Sequence, residues 1–362
     1  MTQAPDAAPG GIRGRLAPSP TGNMHLGHAY IFLMAWLSVR SRGGTAILRM
    51  EDIDPERSRP EFSEGIIRDL AWLGLDYDEG PGPGGPFAPY EQSLRTDRYE
   101  RILRAAEAQG LLYPCWCSRR ELRGLAAAPH AGDEGAPYPG TCRTLSPEQR
   151  AEKERSGRRA CLRLDVRSAL RALAVGRDLR GHAGALADRE QTPAGGTAVP
   201  RFTDLFTGDR VIDESSCGGD FALRRSDGVF AYQLAVAADD ADMEISEVVR
   251  GEDLFPSTPR QALLFFLLGK TPPLYKHLPL LLDDRGERPA KRRESMELAA
   301  LRAAGVDPCA LVGRIACLCG LLERPRAISP RELLPGFSLA GLKGRYLRLP
   351  ENFTDFHAAI CI

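Results

Sequence analysis

Two histidines three residues apart, His25 and His28, follow a turn-rich stretch, Pro18-Ser19-Pro20-Thr21-Gly22-Asn23, with Gly27 between them. Imidazoles at that spacing share one face of a helical turn and can donate hydrogen bonds to developing negative charge. A helix start adds unpaired N–H groups and positive dipole, a seat for phosphate, and Gly27 would let a flat ligand approach the backbone. A second group is sulfur. Cys115-Trp116-Cys117 is followed by a spacer rich in Ala, Gly and Pro, then by Tyr138 and Cys142. Three thiols so spaced argue for tetrahedral zinc with a fourth ligand to be supplied, for which His130 in the spacer is one candidate. A third group is charge closing apolar runs: Arg15 in the first, Glu51 after the next, and Arg250 before the acidic Glu252-Asp253.

These residues need rigid elements beneath them. Residues 12–17 predict a short buried strand, residues 29–40 a helix that is apolar all round, and residues 45–50 a second strand ending at Glu51. Strand, helix, strand with an acidic end is the opening of a doubly wound, Rossmann-like α/β sheet, in which ligands lie outside the carboxyl ends of the strands. Helices are expected near 63–73 and 93–109, and 80–86 is a turn-rich loop. Residues 178–200 are poor in apolar side chains and predict a surface insertion. Segments 202–210, 221–225 and 229–236 are expected to return to the sheet, 245–250 to form an apolar strand, and 258–268 a helix. The resulting division is 11–110 for the first half of a nucleotide-binding domain, 111–200 for an inserted thiol-bearing subdomain, 201–275 for the second half, and 276–362 for a short helical region.

Composition narrows the class of partner. Hydrophobic residues make up 43% of the 362 and charged residues 27%, the ordinary range of a globular protein. Lys+Arg and Asp+Glu are both 48, so a nucleic-acid partner would have to use a local basic patch rather than bulk charge. The first residues carry no basic-then-apolar export pattern, and the apolar runs are too short to cross a bilayer. Nine cysteines without that pattern favour reduced thiols. The expectation is a cytoplasmic protein with no membrane partner.

The string Arg15-Leu16-Ala17-Pro18-Ser19-Pro20-Thr21-Gly22, with His25-Leu26-Gly27-His28 behind it, resembles the signature of class I aminoacyl-tRNA synthetases of the glutamate and glutamine branch. The resemblance covers roughly residues 12–300. It implies activation of L-glutamate by ATP with Mg²⁺, then transfer to tRNA. It gives His25, Gly27, His28, Arg288 and Lys291 an ATP-binding role, and His25, His28 and Lys291 a catalytic one. It makes Arg15, Leu16, Ala17, Pro18, Ser19, Glu51, Tyr232 and Arg250 the glutamate pocket; guanidinium forks suit the carboxylates, Glu51 the ammonium, and Tyr232 a directional hydrogen bond.

Two departures refine it. The loop Arg288-Pro289-Ala290-Lys291-Arg292 stands where such enzymes carry a mobile lysine loop; only its second lysine, Lys291, remains, with Arg288 at the first basic place. Proline there stiffens a loop expected to close on ATP, which bears on the rate of adenylation. The thiol set lacks a histidine just beyond Cys142 and is similar instead to the C-x-C…Y-x-x-x-C set of glutamyl-queuosine tRNA(Asp) synthetases, which implies zinc on Cys115, Cys117, Tyr138 and Cys142. About seventy residues follow Lys291, enough for a few stem-contacting helices and too few for a large anticodon-binding domain. Queuosine-containing tRNA(Asp) is therefore the favoured acceptor. The alternatives are a shortened glutamyl-tRNA synthetase and a non-catalytic tRNA- or nucleotide-binding paralogue.

Overall fold

The computed structural model describes residues 11–118, 121, 138–179, 199–283, 286, 296–350 and 353. In chain order the first part contains β1 (Arg13–Leu16), α1 (Leu26–Arg40), β2 (Thr45–Leu48), α2 (Pro60–Leu73) and α3 (Thr96–Ala108). Next come β3 (Leu112–Cys115), α4 (Pro147–Arg155), β4 (Cys161–Leu164) and α5 (Val166–Ala174). Then follow β5 (Arg201–Asp204), β6 (Gly208–Val211), β7 (Phe221–Arg224), α6 (Tyr232–Asp242), β8 (Glu247–Gly251), α7 (Thr258–Leu267) and β9 (Leu274–Leu278). The last part holds β10 (Leu281–Leu282), α8 (Leu298–Ala303), α9 (Pro308–Leu318) and β11 (Leu347–Arg348).

The main sheet has the order β2-β1-β8-β9-β5-β6. Every pairing in it is parallel except β5 with β6 at the edge. From β1 the chain first goes outward to β2 and later returns to the other side as β8. The strand order thus reverses between β1 and β8, the place where such sheets bind ligands. Helices cover both faces, so strands β2, β1, β8 and β9 are largely buried on two sides, while the edge strand β6 is exposed. On one face α1 and α2 pack with the C-terminal helices α8 and α9; on the other lie α3, α6 and α7. Gly14 lets α1 sit close on β1, since a Cβ there would fall inside the Val39 side chain.

Local chemistry sets the element ends. Helix α2 starts on Pro60, whose ring fits a helix start, and stops at Gly74 with φ 75°, a left-handed stop that glycine takes without strain. Helix α1 begins three residues earlier than its apolar pattern predicts, because His25 caps it.

A second, three-stranded antiparallel sheet, β3-β4-β7, carries the thiols. Here the expected return of 221–225 to the main sheet is not what happens. β5 and β6 join that sheet, whereas β7, with its alternately buried side chains, pairs with β4 and completes the small lobe. Most of the expected insertion at 178–200 lies outside the described residues. Its first two are fixed: the Asp178 carbonyl accepts from the Gln109 amide at 2.7 Å, and the Leu179 N–H donates to Leu267 at 2.8 Å. Among the described residues no helix is long and apolar enough to cross a membrane.

Candidate active site and thiol cluster

The first strand, its loop and the first helix carry the imidazoles. Nδ1 of His25 accepts from the Gly27 N–H at 3.1 Å, and the His25 N–H donates to Nδ1 of His28 at 3.2 Å. With both Nδ1 lone pairs taken by backbone donors, each neutral ring keeps its proton on Nε2. The rings lie 4.0 Å apart. Desolvation, and then the neighbouring His25, push the His28 imidazole down to about 3, so it is neutral at physiological pH. A Cβ on Gly27 would come 2.9 Å from the His25 ring. Glycine there makes room for the capping imidazole, a nearer role than the ligand approach expected from sequence.

The charged candidates converge at the carboxyl ends of the parallel strands. Arg15, Glu51 and Arg250 are all buried, from β1, just past β2, and from β8. The loop between β1 and α1 is pinned to Glu51, whose N–H donates to the Pro18 carbonyl at 2.9 Å. Leu16 and Pro18 are buried, Ala17 half-buried, and Ser19 exposed. Tyr232 is the first residue of α6 and half-buried. Burial, then the nearby Glu51, raise its hydroxyl's pKa, while Arg250 and Arg15 lie close enough to oppose them.

Beneath these groups runs a ladder of buried ion pairs. Arg15 Nε donates to Asp240 at 3.3 Å, and Asp240 also accepts from Arg49 Nη1 at 2.6 Å. Arg49 is fully buried and reaches Glu51 Oε1 through Nη2 at 3.1 Å. On its far side Asp239 accepts from Arg95, Gln92 and Tyr99 at 2.6–2.9 Å. Arg95 and Arg98 then meet Asp242. Burial raises the Glu51 carboxyl, with Arg49 and Arg15 opposing it. For Asp240 burial loses, and Arg49 and Arg15 hold it below the usual carboxylate range.

Arg250 is arranged differently. Its Nε, Nη1 and Nη2 donate to His277 Nε2 (3.1 Å), Gln261 Oε1 (2.6 Å) and Thr258 Oγ1 (2.9 Å). All three acceptors are uncharged. Among the described residues no carboxylate makes an ion pair with it. A buried guanidinium so placed is a prepared seat for an incoming anion, because an unpaired buried charge costs several kcal/mol, of order 3–5 in measured cases.

In the small lobe, the sulfurs of Cys115, Cys117 and Cys142 lie within 4.8 Å of one another, with 3.6 Å between Cys117 and Cys142. The Tyr138 oxygen is 3.3 Å from Cys115 Sγ and 3.9 Å from Cys117 Sγ. Tetrahedral zinc with bonds of about 2.3 Å to sulfur needs ligand atoms roughly 3.5–4 Å apart, so the spacing of these groups is compatible with the ion. The Arg163 guanidinium stacks 3.9 Å from the Tyr138 ring centre. Asp220 braces the lobe, accepting from Tyr113, Arg143 and the Val166 N–H at 2.6–3.1 Å.

The structure thus brings together Arg15, Glu51, Tyr232 and Arg250, and, elsewhere, Cys115, Cys117, Tyr138 and Cys142. Arg288, Lys291 and His130 lie outside the described residues. The chain beyond the lysine loop is nonetheless tied to the imidazoles: the Leu298 N–H donates to Met24 at 2.9 Å, and Asn23 donates to Glu297 at 2.8 Å. Sequence reasoning missed the roles of Asp239, Asp240, His277 and Asp204. The available signal was charge inside apolar elements, which demands a partner. It also missed Cys161, which faces Cys115 across the β3–β4 pairing.

The description "tRNA synthetases class I (E and Q), catalytic domain" matches residues 11–181 and 189–328. A Glutamyl-Q tRNA(Asp) synthetase of Nitratidesulfovibrio vulgaris is 51% identical over 95% of this chain and 97% of its own. One of Symbiobacterium thermophilum is 46% identical over 94% and 96%. Among solved structures, a glutamate tRNA ligase from Elizabethkingia meningosepticum, crystallised with its amino acid, superposes with a TM-score of 0.71. It is 25% identical over 95% of this chain and 68% of that longer one.

Proposed function

Because the chain belongs to the class I tRNA synthetases of the glutamate and glutamine branch, we propose that it activates L-glutamate with ATP and transfers it to queuosine in the anticodon loop of tRNA(Asp). The name Glutamyl-Q tRNA(Asp) synthetase, carried by relatives that match almost end to end, supports this acceptor. In the first step a glutamate α-carboxylate oxygen attacks the α-phosphorus of ATP, and pyrophosphate leaves with the electrons of the broken P–O bond. In the second a hydroxyl oxygen of the queuosine cyclopentene diol attacks the acyl carbon, loses its proton, and AMP leaves. Positioning and charge neutralisation carry most of the acceleration in such chemistry.

In this reading His25 and His28 offer their Nε2–H donors to the ATP phosphates beside Gly27, and Arg288 and Lys291 neutralise the departing pyrophosphate. Mg²⁺ accompanies ATP and supplies further neutralisation of its phosphates. Arg15 and Arg250 take the carboxylates of glutamate, Glu51 its ammonium, and Tyr232 a directional hydrogen bond, with Leu16 to Ser19 walling the pocket. The observation that carries the choice of a carboxylate-bearing substrate is Arg250, buried and bonded only to neutral acceptors. Cys115, Cys117, Tyr138 and Cys142 would hold one structural zinc ion, which joins the strands of a lobe with a small apolar core.

Charging with labelled glutamate tests the proposal. Label is expected on queuosine-containing tRNA(Asp) and not on tRNA(Asp) lacking the modification. Label on unmodified tRNA(Glu) would overturn the acceptor assignment. Glutamate-dependent exchange of pyrophosphate into ATP is expected without any tRNA; its absence would leave a binding protein.

A further inference from the structure

The partners of Arg250 continue inward as a chain of defined proton positions. A guanidinium has only donors, so His277 Nε2, 3.1 Å from Arg250 Nε, must present its lone pair. The proton of the neutral ring is therefore on Nδ1, 2.8 Å from Asp204 Oδ2. The Asp204 carboxylate also accepts from the backbone N–H groups of His277, Phe206 and Thr207 at 2.9–3.3 Å, which holds it in place at the end of β5. Thr258 Oγ1 accepts from Arg250 and stands 3.1 Å from the same Nε2. The Tyr275 ring lies 5.2 Å under the guanidinium, and Phe255 packs against the imidazole at 5.0 Å. Asp204, His277 and Arg250 are all buried.

We propose that Asp204 and His277 are positioning residues for Arg250: ionised Asp204 holds His277 as the Nδ1–H tautomer, whose free Nε2 lone pair aims the guanidinium at a carboxylate of bound glutamate. The proposal rests on the reading of Arg250 as a glutamate-binding residue. Protonation of His277 turns its acceptor into a donor facing Arg250 Nε–H, so the alignment is lost on the acid side. The charged groups facing the imidazole are Asp204 from β5, Arg250 from β8 and Arg15 from β1, and the Tyr275 ring stacks on it at 6.0 Å; Asp240 and Tyr232 lie next, around the two arginines. Burial, with Arg250 and Arg15, outweighs the pull of Asp204 and keeps the imidazole below its ordinary value. The loss therefore falls below about pH 6.5.

The test is steady-state pyrophosphate exchange by the full chain between about pH 5 and 8, above the range in which the carboxyls of free glutamate titrate. His277→Leu is expected to raise the KM for glutamate roughly 10–100-fold while KM for ATP and kcat change far less, since one charge-assisted bond is lost on the glutamate side alone. His277→Gln keeps an oxygen acceptor that never protonates. It should stay within several-fold of wild type at pH 7.5 and lose whatever part of an acid-side rise in glutamate KM comes from His277. An unaltered glutamate KM in His277→Leu, or parallel losses in all three constants, would overturn the proposal. So would a glutamate KM in His277→Gln at pH 7.5 as high as in His277→Leu. Arg250→Gln separates the two layers: if it leaves glutamate KM unchanged the reading of Arg250 fails, and if it raises KM while His277→Leu does not, only the positioning role fails.

Discussion

The end of the main sheet and the thiol lobe reach order by different means. At the sheet end, Arg15, Arg49, Glu51, Asp239 and Asp240 lock one another in place, between two apolar clusters that each draw on several helices. The lobe has three short strands and a core of Tyr113, Cys115, Trp116, Tyr138 and Cys142. Its sulfurs and phenol lie close together, and so little apolar surface would leave the proposed zinc ion to supply what packing does not. The contrast teaches that the end of the main sheet is ordered by pairing between protein charges, whereas the lobe, on the proposed reading, would owe part of its order to an ion.

The sharpest way to break this contrast is Arg49→Met. It leaves Asp240, Asp239 and Glu51 short of a buried cation, so urea unfolding should show a loss of about 3–5 kcal/mol. A loss below about 1 kcal/mol would mean the ladder is not what orders the sheet end. Glu51→Gln removes the proposed counter-charge for the substrate ammonium and weakens one Arg49 bond. Glutamate-dependent pyrophosphate exchange should fall about 30–150-fold, equivalent to roughly 2–3 kcal/mol. A change confined to KM for ATP would reject that role.

Tyr138→Phe probes the lobe instead. Zinc affinity, measured by competition with a chelator, should weaken by roughly 10–100-fold or more, the range seen even for groups that only support a ligand. Exchange without tRNA should be almost untouched. If chelation of the wild type abolished exchange, the two regions would not be independent in the way described.

The smallest effect is a titration that does not occur. The unfolded chain binds a proton at His28 near the ordinary value of 6.5, while the folded chain does so only near 3. Below pH 6.5 the unfolded state therefore gains protons first, and this group's contribution to stability declines as pH falls. Histidine NMR across about pH 5–8 should show a His28 ring that stays neutral; a midpoint near 6.5 would contradict the desolvated cap.

The extent to which each region could be read beforehand follows from how far apart in the chain its parts lie. The β1 strand, the loop and the body of α1 were legible, as were the C-x-C pair and the tyrosine four residues before Cys142, because turn and spacing act within a few residues; the His25 cap that starts α1 three residues early was not. The placement of β7 was not. An alternating four-residue strand fits either sheet by pattern, and only its pairing with β4 decides. Glu51 illustrates the middle case: its position past a strand was visible, but its bond to Arg49, two residues earlier, depends on both turning inward under Asp240.

By itself the sequence determined the kind of chemistry, since the residue types in Arg15–His28 and Cys115–Cys142 state it wherever they fold. Tertiary structure alone decided which charges are paired. Asp240 reaches Arg15 and Arg49 from helix α6, which packs on the sheet, and Asp204 reaches Arg250 through His277 because the strand order sets β8, β9 and β5 side by side. The physical reason is that backbone preferences are local, while a buried charge is settled by whatever the sheet brings against it from distant parts of the chain.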